Sequence, residues 1–176
     1  FTEGQEPFSD GADGSILIGA GDLFILRDGY YPGEHVGFDK TKNSITWRYP
    51  RSHVDQPAIG TDGIVYIYGE NREPTALDPD TGALLWQDTT VEPAKSLNWI
   101  ASPVIDESGN VYFQIDGGFA VYAPGSTRKL LWKYTDQYTG VVYNPKGFAV
   151  GGNGRVYFLE TGSLQFLYAV DAGTPA

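Results

Sequence analysis

His35 and His53 are the only imidazoles in this chain, and it has no cysteine. Catalysis therefore has few residues to draw on. No Gly-x-Ser-x-Gly elbow is present to expose and activate a serine. Two histidines without thiolates fall short of the ligand set of a zinc centre. The glycine-rich stretches lack both a following Lys-Ser/Thr and a strand-to-helix context, so no phosphate loop is indicated. Glycosidase-type carboxylate pairs are defined by spatial separation and stay open at this level. No catalytic residue is assigned. Asp62, Asp78 and Asp80 superficially resemble a calcium loop, but an aspartate beside glycine in a turn bonds its own backbone, and that reading is preferred. Asp10-Gly11-Ala12-Asp13-Gly14-Ser15 is denser in oxygen ligands and also reads as a turn. The remaining candidates are binding residues: Tyr30, Tyr31, Glu34 and His35, then Arg51, His53 and Asp55, then Lys95, Asn98 and Trp99. Aromatic faces beside carboxylate, amide and imidazole groups suit a carbohydrate or a protein loop.

The elements that must hold these residues follow from composition. In 176 residues there are 23 glycines, 11 prolines, 14% aromatics and only 19% charged residues, which excludes a helix bundle and requires many tight turns. The net charge of −10, with no basic run, argues against a nucleic-acid partner. Apolar runs such as Leu23 to Leu26 and Ile64 to Tyr68 are far shorter than the ~20 residues of a membrane span. The chain opens on Phe1 without an initiator methionine, so a processed or partial chain is expected, as for an exported protein with its leader removed.

The chain repeats itself. Pro57 to Ile67 aligns without gaps on Pro103 to Phe113 and on Phe148 to Phe158, placing Tyr66, Tyr112 and Tyr157 about 45 residues apart. With one insertion, Pro7 to Ile18 supplies an earlier copy. Each copy is followed by a second signature, clearest as Ala76-Leu77-Asp78-Pro79-Asp80-Thr81-Gly82-Ala83-Leu84-Leu85-Trp86. It recurs at Gly37 to Trp47 and at Val121 to Trp132, and Ala169 to Thr174 stops before a tryptophan. Runs such as Ile64 to Tyr68, Val111 to Ile115 and Arg155 to Leu159 are β-branched and aromatic and are bounded by Gly, Asp and Asn, so they read as strands. Asp62-Gly63, Ser108-Gly109 and Asn153-Gly154 read as two-residue hairpin turns. Four short antiparallel strands per repeat make the chain all-β, a β-propeller of four-stranded blades, with no regular helix. The repeats fall at approximately 6–49, 55–88, 100–134 and 146–176 within one propeller region spanning 1–176. The incomplete last repeat points to part of a larger propeller, or to a strand donated by another chain.

Strand parity sorts the loops. The regular Asp-Gly and Asp-x-x-Thr-Gly turns share one rim. The irregular segments Gly19 to His35, Pro50 to Gln56, Gly69 to Pro74, Asp88 to Trp99, Tyr134 to Lys146 and Glu160 to Gln165 share the other, which is the expected binding face. Trp47, Trp86 and Trp132 recur at one repeat position and are expected to pack blades together rather than to bind ligand.

The Ala-x-Asp-x-x-Thr-Gly-x-x-x-Trp stretch at Ala76 to Trp86, preceded by Pro57 to Ile67, resembles the repeat of the pyrroloquinoline-quinone-like (quinoprotein-like) β-propellers, and the resemblance extends over nearly the whole chain. It implies the propeller fold and a blade-docking role for the tryptophans. The family includes quinone-dependent dehydrogenases and non-enzymatic outer-membrane assembly factors, so fold alone does not choose between them. The dehydrogenases hold PQQ with calcium, a stacking tryptophan and often a cysteine pair, of which this chain has no cysteine. The expectation is a non-catalytic extracytoplasmic scaffold, secreted, periplasmic or on the cell surface, binding a protein or glycan without a cofactor. PQQ and calcium belong only to the dehydrogenase alternative, and a carbohydrate-binding propeller is a further one.

Overall fold

The computed structural model describes residues 16–19, 23–28, 33–51, 56–93, 102–135, 148–152, 154–159 and 167–171. All regular structure among them is β. The first sheet holds β1 (Leu17–Ile18), β2 (Leu23–Asp28), β3 (Gly33–Asp39) and β4 (Ser44–Arg51). The second holds β5 (Ala58–Ile59), β6 (Val65–Tyr68), β7 (Pro74–Leu77) and β8 (Leu84–Gln87). The third holds β9 (Val104–Ile105), β10 (Val111–Ile115), β11 (Gly118–Tyr122) and β12 (Leu130–Thr135), and the fourth β13 (Phe148–Val150), β14 (Arg155–Leu159) and β15 (Leu167–Asp171). In every sheet the strands lie side by side in chain order and pair antiparallel. This is the up-and-down blade expected of a β-propeller.

The sheets pack face to face in sequence because the central strands are apolar on both sides. Alternate residues of a strand point to opposite faces. Val65, Ile67 and Leu77 accordingly join Leu23, Ile25 and Trp47 of the first sheet, while Tyr66, Tyr68, Ala76 and Trp86 join Val111, Phe113, Ile115, Ala120 and Tyr122 of the third. The other face of the third sheet, with Tyr112, Phe119 and Val121, packs on Val156 and on the half-buried Phe148, Val150 and Phe158 of the fourth. Aromatic rings carry much of these contacts: Trp86 stacks on Tyr122 at 5.1 Å between centroids, and Phe119 meets Phe148 at 4.7 Å.

The tryptophans sit on the outermost strands and reach across to the next sheet. Trp47 Nε1 donates to Pro79 O at 2.7 Å, and Trp86 Nε1 donates to Gly125 O at 3.0 Å. Each ring lies opposite a small residue on its own sheet, Gly37 for Trp47 and Ala76 for Trp86. A β-bulge follows the residue opposite the tryptophan in three sheets, at Gly37/Phe38, Ala76/Leu77 and Val121/Tyr122. Gly82, at φ +67°, is where the Trp47 ring lands: a Cβ there would lie 2.6 Å from it. The Thr-Gly of the repeat signature is thus a receptor for the preceding sheet's indole as well as a turn.

Two sequence expectations need correction. Asp62-Gly63, Ser108-Gly109 and Asn153-Gly154 do not form two-residue turns. Gly63 N donates to Gly60 O and Gly60 N to Ile64 O, both at 2.9 Å, enclosing a three-residue loop, and the same pattern recurs from Asp106 and Gly151. Among the described loop residues only the last glycine is left-handed, at φ 82°, 84° and 75° for Gly63, Gly109 and Gly154. That is a type I turn with a glycine bulge, which needs a single positive φ. The earliest repeat copy is also displaced. Gly19 N donates to Leu23 O at 2.9 Å, as Gly60 N does to Ile64 O, so Gly19 and not the segment around Gly14 begins the first sheet's turn. The turn region Gly19-Ala20-Gly21-Asp22 carries its glycine before its aspartate, which hid the match.

Candidate functional site

Antiparallel order puts the turns between the first and second and between the third and fourth strands of a sheet on one rim, and the hairpins between the second and third strands with the inter-sheet linkers on the other. On the turn rim the carboxylates are occupied by their own backbone. Asp78 Oδ1 accepts from the amides of Asp80 (3.1 Å) and Thr81 (2.9 Å) and from the Thr81 hydroxyl (2.7 Å). The Thr81 hydroxyl bond, followed by the Thr81 amide, holds the Asp78 carboxyl below its ordinary range. Asp62 accepts from Ile64 N at 3.1 Å and from the Tyr66 hydroxyl at 2.9 Å. Asp106 likewise takes the Tyr112 hydroxyl at 3.1 Å; burial, then the Asp106 charge, pushes that phenol up to about 12. Asp10 to Ser15 lies outside the described residues.

On the opposite rim, Tyr30, Tyr31, His53, Asp55, Lys95, Asn98 and Trp99 also lie outside the described residues. Glu34, His35 and Arg51 are brought to one end of the first sheet, where Gly33 pairs with Arg51, Glu34 with Pro50 and His35 with Tyr49. Glu34 Oε2 accepts from Arg48 Nη1 at 2.7 Å in an exposed ion pair. His35 is fully buried. The expected long insertion from Gly19 to His35 is therefore interrupted: β2 occupies its middle, and Glu34 and His35 belong to β3.

The best-defined feature of this rim is one that sequence reading placed only within an irregular segment, the β6–β7 hairpin. Gly69 N donates to Glu73 O and Arg72 N to Gly69 O, both at 2.9 Å, so the loop repeats the Gly60 turn design. The left-handed position is filled by Arg72 at φ 72°, where the other rim uses glycine. The buried Glu73 carboxylate clamps the tip, accepting from Asn71 N at 3.0 Å and Asn71 Nδ2 at 2.9 Å. Glu73 O accepts from the Thr75 hydroxyl at 2.9 Å. A Cβ on Gly69 would fall 2.6 Å from Gln87 Nε2 and 2.8 Å from Glu73 Oε2, so a side chain there would have to displace these converging groups. The first sheet's Tyr49 feels this hairpin: burial, then the charges of Glu73 and Glu70, raise its phenol pKa. The shared five-residue spacing from Gly60 to Ile64 and from Gly69 to Glu73 was the available signal. It was masked because Arg, unlike Gly or Asn, does not announce a left-handed residue.

A second buried group ties the second and third sheets. Asp88 Oδ1 accepts from Thr90 N (2.8 Å), the Thr90 hydroxyl (2.6 Å) and Arg128 Nη1, and Oδ2 accepts from the Tyr122 hydroxyl at 2.9 Å. Burial opposes its charge, yet the Thr90, Tyr122 and Arg128 partners outweigh that and hold the carboxyl below its ordinary range. With every oxygen engaged inside the protein, Asp88 is positioned to join sheets and not to react. Among the described residues no three His, Cys, Asp or Glu side chains form a group that could hold a metal ion, and no helix is long and apolar enough to cross a membrane.

Residues 9–140 match the family described as outer membrane protein assembly factor BamB. Comparison with curated proteins returns no match. Among solved structures, the chain is similar to BamB from Moraxella catarrhalis, with TM-score 0.60 and 15% identity over 85% of this chain and 40% of that one. It is similar to the quinohemoprotein alcohol dehydrogenase from Comamonas testosteroni, with TM-score 0.58 and 13% identity over 79% of this chain and 28% of that one. A third likeness is to the Dos1 propeller, with TM-score 0.56 and 12% identity over 78% of this chain and 36% of that one. The chain spans less than half of each of these three proteins, and at such identities the likeness carries the propeller fold alone.

Proposed function

Because the chain belongs to the outer membrane protein assembly factor BamB family of PQQ-like repeat propellers, we propose that it is a non-catalytic, extracytoplasmic scaffold that binds a protein through its irregular rim. The observation that carries this reading is Arg72. A side chain in the left-handed region costs about 1–2 kcal/mol relative to glycine. Arg72 is held there by a hairpin whose buried Glu73 leaves the tip little freedom. Backbone strain retained at a loop tip on a rigid sheet motivates a functional role for the side chain. Arg72 already has an interaction within the protein, and the five donors and flat face of a guanidinium can meet a partner's carboxylate or aromatic ring as well. On a chain of net charge −10, one placed cation also gives register to an approaching acidic or aromatic patch.

The rival readings rest on less. A glycan site would depend on Tyr30, Tyr31 and Trp99, which lie outside the described residues. A quinone-dependent dehydrogenase would need PQQ and calcium, and no residue of this chain is assigned to hold either. A photo-crosslinking residue at position 70 on the hairpin, with position 80 on the turn rim as control, tests the proposal against an envelope extract of the source cell. The expected result is a discrete protein adduct from position 70 only, weakened at least tenfold by Arg72→Gly. Equal adducts from both rims would contradict it. Specific glycan-array binding, or a bound chromophore with dye-linked alcohol oxidation on adding PQQ and calcium, would also overturn it.

A further inference from the structure

Of the chain's Asp-Gly pairs, Asp62-Gly63 and Asp116-Gly117 have both residues described. An aspartate followed by glycine can close on itself, because the next amide lies within reach of the side-chain carboxyl and glycine has no Cβ to shield it. The fold decides which pair is able to do so. At Asp62-Gly63 the reacting atoms are engaged: Gly63 N donates to Gly60 O at 2.9 Å, Asp62 Oδ1 accepts from Ile64 N at 3.1 Å, and Oδ2 accepts from the Tyr66 hydroxyl at 2.9 Å. Asp116-Gly117 is instead the two-residue connection of the β10–β11 hairpin on the irregular rim, closed by the Ile115–Gly118 pair. In such a loop the ladder bonds belong to the flanking residues, which leaves the second loop amide unused. Among the described residues none accepts from Gly117 N, and Gly117 sits in the left-handed region at φ 68°. Asp116 keeps an interaction of its own within the protein, and its amide donates to Glu92 O at 2.9 Å. What separates the two pairs is therefore the glycine amide. Asp116 and Gly117 are both half-buried, within reach of water.

We infer that Asp116 is a site of isoaspartate formation, a slow self-modification of the irregular rim that the turn design at Asp62 suppresses. Gly117 N attacks Asp116 Cγ, the new N–C bond closes a five-membered succinimide, and the carboxyl hydroxyl leaves with the amide proton as water. A second water then opens the ring. Cleavage at Cγ restores aspartate, whereas cleavage at the main-chain carbonyl carbon of Asp116 leaves the chain running through the side chain as isoaspartate. One water is lost, one is gained, and nothing is oxidised or reduced. The product adds one carbon to the main chain between Ile115 and Gly118, whose pairing ends the ladder. It also alters the residue whose amide holds Glu92 O, next to the Pro93–Ile115 bridge. The reaction needs no partner, so it stands or falls independently of the binding role proposed for the rim.

The test is peptide mapping of isoaspartate in the 176-residue chain aged at neutral pH and physiological temperature. Methylation by an isoaspartyl methyltransferase detects the product, and fragmentation mass spectrometry assigns its position. A parallel sample in urea supplies the reference, in which both pairs lose their folded surroundings. The folded chain is expected to accumulate isoaspartate at Asp116 at least tenfold faster than at Asp62, and the two rates should converge in urea. Asp116→Glu should abolish the signal at this position, since a six-membered ring closes far more slowly. Asp116→Asn should raise it, because the same attack then expels ammonia. Both substitutions keep the loop glycine, and melting will verify that the variants fold. Isoaspartate forming at Asp62 as fast as at Asp116 in the folded chain overturns the inference. So does a folded chain that forms none at Asp116 while the urea sample does, or an Asp116→Asn chain that accumulates none.

Discussion

The tightest constraints are set by single residues at the contact between an indole and the next turn. Gly63 and Gly82 have similar left-handed backbones, at φ 82° and 67°, but their surroundings differ. Nothing lies within 4 Å of a Cβ on Gly63, whereas one on Gly82 would press on Trp47. Gly63→Ala should therefore cost about 1–2 kcal/mol, the backbone cost alone. Gly82→Ala should add an overpacking cost of ~1–3 kcal/mol, a difference measurable by denaturant unfolding. Trp86→Ala is expected to cost on the order of 3–5 kcal/mol, since it removes a buried ring and the bond to Gly125 O. Trp132 is only half-buried and sits opposite Val121 instead of Gly or Ala, so Trp132→Ala should cost clearly less. Equal melting losses for the two would contradict this assignment of indole roles. The tryptophan positions were legible from their recurrence alone. Gly82 as an indole receptor was not, because sequence records a turn glycine's φ but not which ring lands on it.

Between elements, the link most sensitive to conditions is Asp88, which joins the second sheet to Tyr122 and Arg128 of the third. Its carboxyl lies below its ordinary value of 3.8 in the folded protein. The stabilisation is therefore complete above the unfolded-state value and is lost as pH falls through the lowered folded value. Stability measured by urea unfolding should hold down to about pH 4 and then decline. Asp88→Asn should flatten that decline, and Asp88→Ala should cost on the order of 1–3 kcal/mol at neutral pH by leaving the buried Tyr122 hydroxyl unsatisfied. An acid profile unchanged in Asp88→Asn would exclude the carboxylate as the group responsible. At this scale the sequence reading was right about strand identity and wrong about turn geometry. Gly, Asp and Asn clusters mark where a chain reverses, but two- and three-residue loops draw on the same residues and differ in backbone hydrogen bonds. The first sheet shows the same limit, for its turn carries glycine and aspartate in reversed order, and alignment on Asp-Gly settled on an earlier segment.

For the whole molecule, repetition made the architecture legible: an all-β array of antiparallel sheets packed face to face follows from a period of about 45 residues with β-branched and aromatic strands. The binding rim was legible as a direction and not as a set of residues. Strand parity identifies which loops share a face, but seven of the ten ligand candidates, Tyr30, Tyr31, His53, Asp55, Lys95, Asn98 and Trp99, lie outside the described residues, and His35 is buried within a strand. Among the described residues, the rim tip at Arg72 carries no composition signal. The scaffold account therefore rests on whether that side chain binds or merely closes a turn. The most direct measurement compares the affinity for the partner cross-linked through position 70, together with melting temperature, for wild type, Arg72→Gly and the turn-rim variant Asp80→Ala. The account predicts that Arg72→Gly melts at or above the wild-type temperature while binding at least tenfold more weakly, and that Asp80→Ala binds normally. Unchanged affinity in Arg72→Gly, or equal loss in Asp80→Ala, would contradict it.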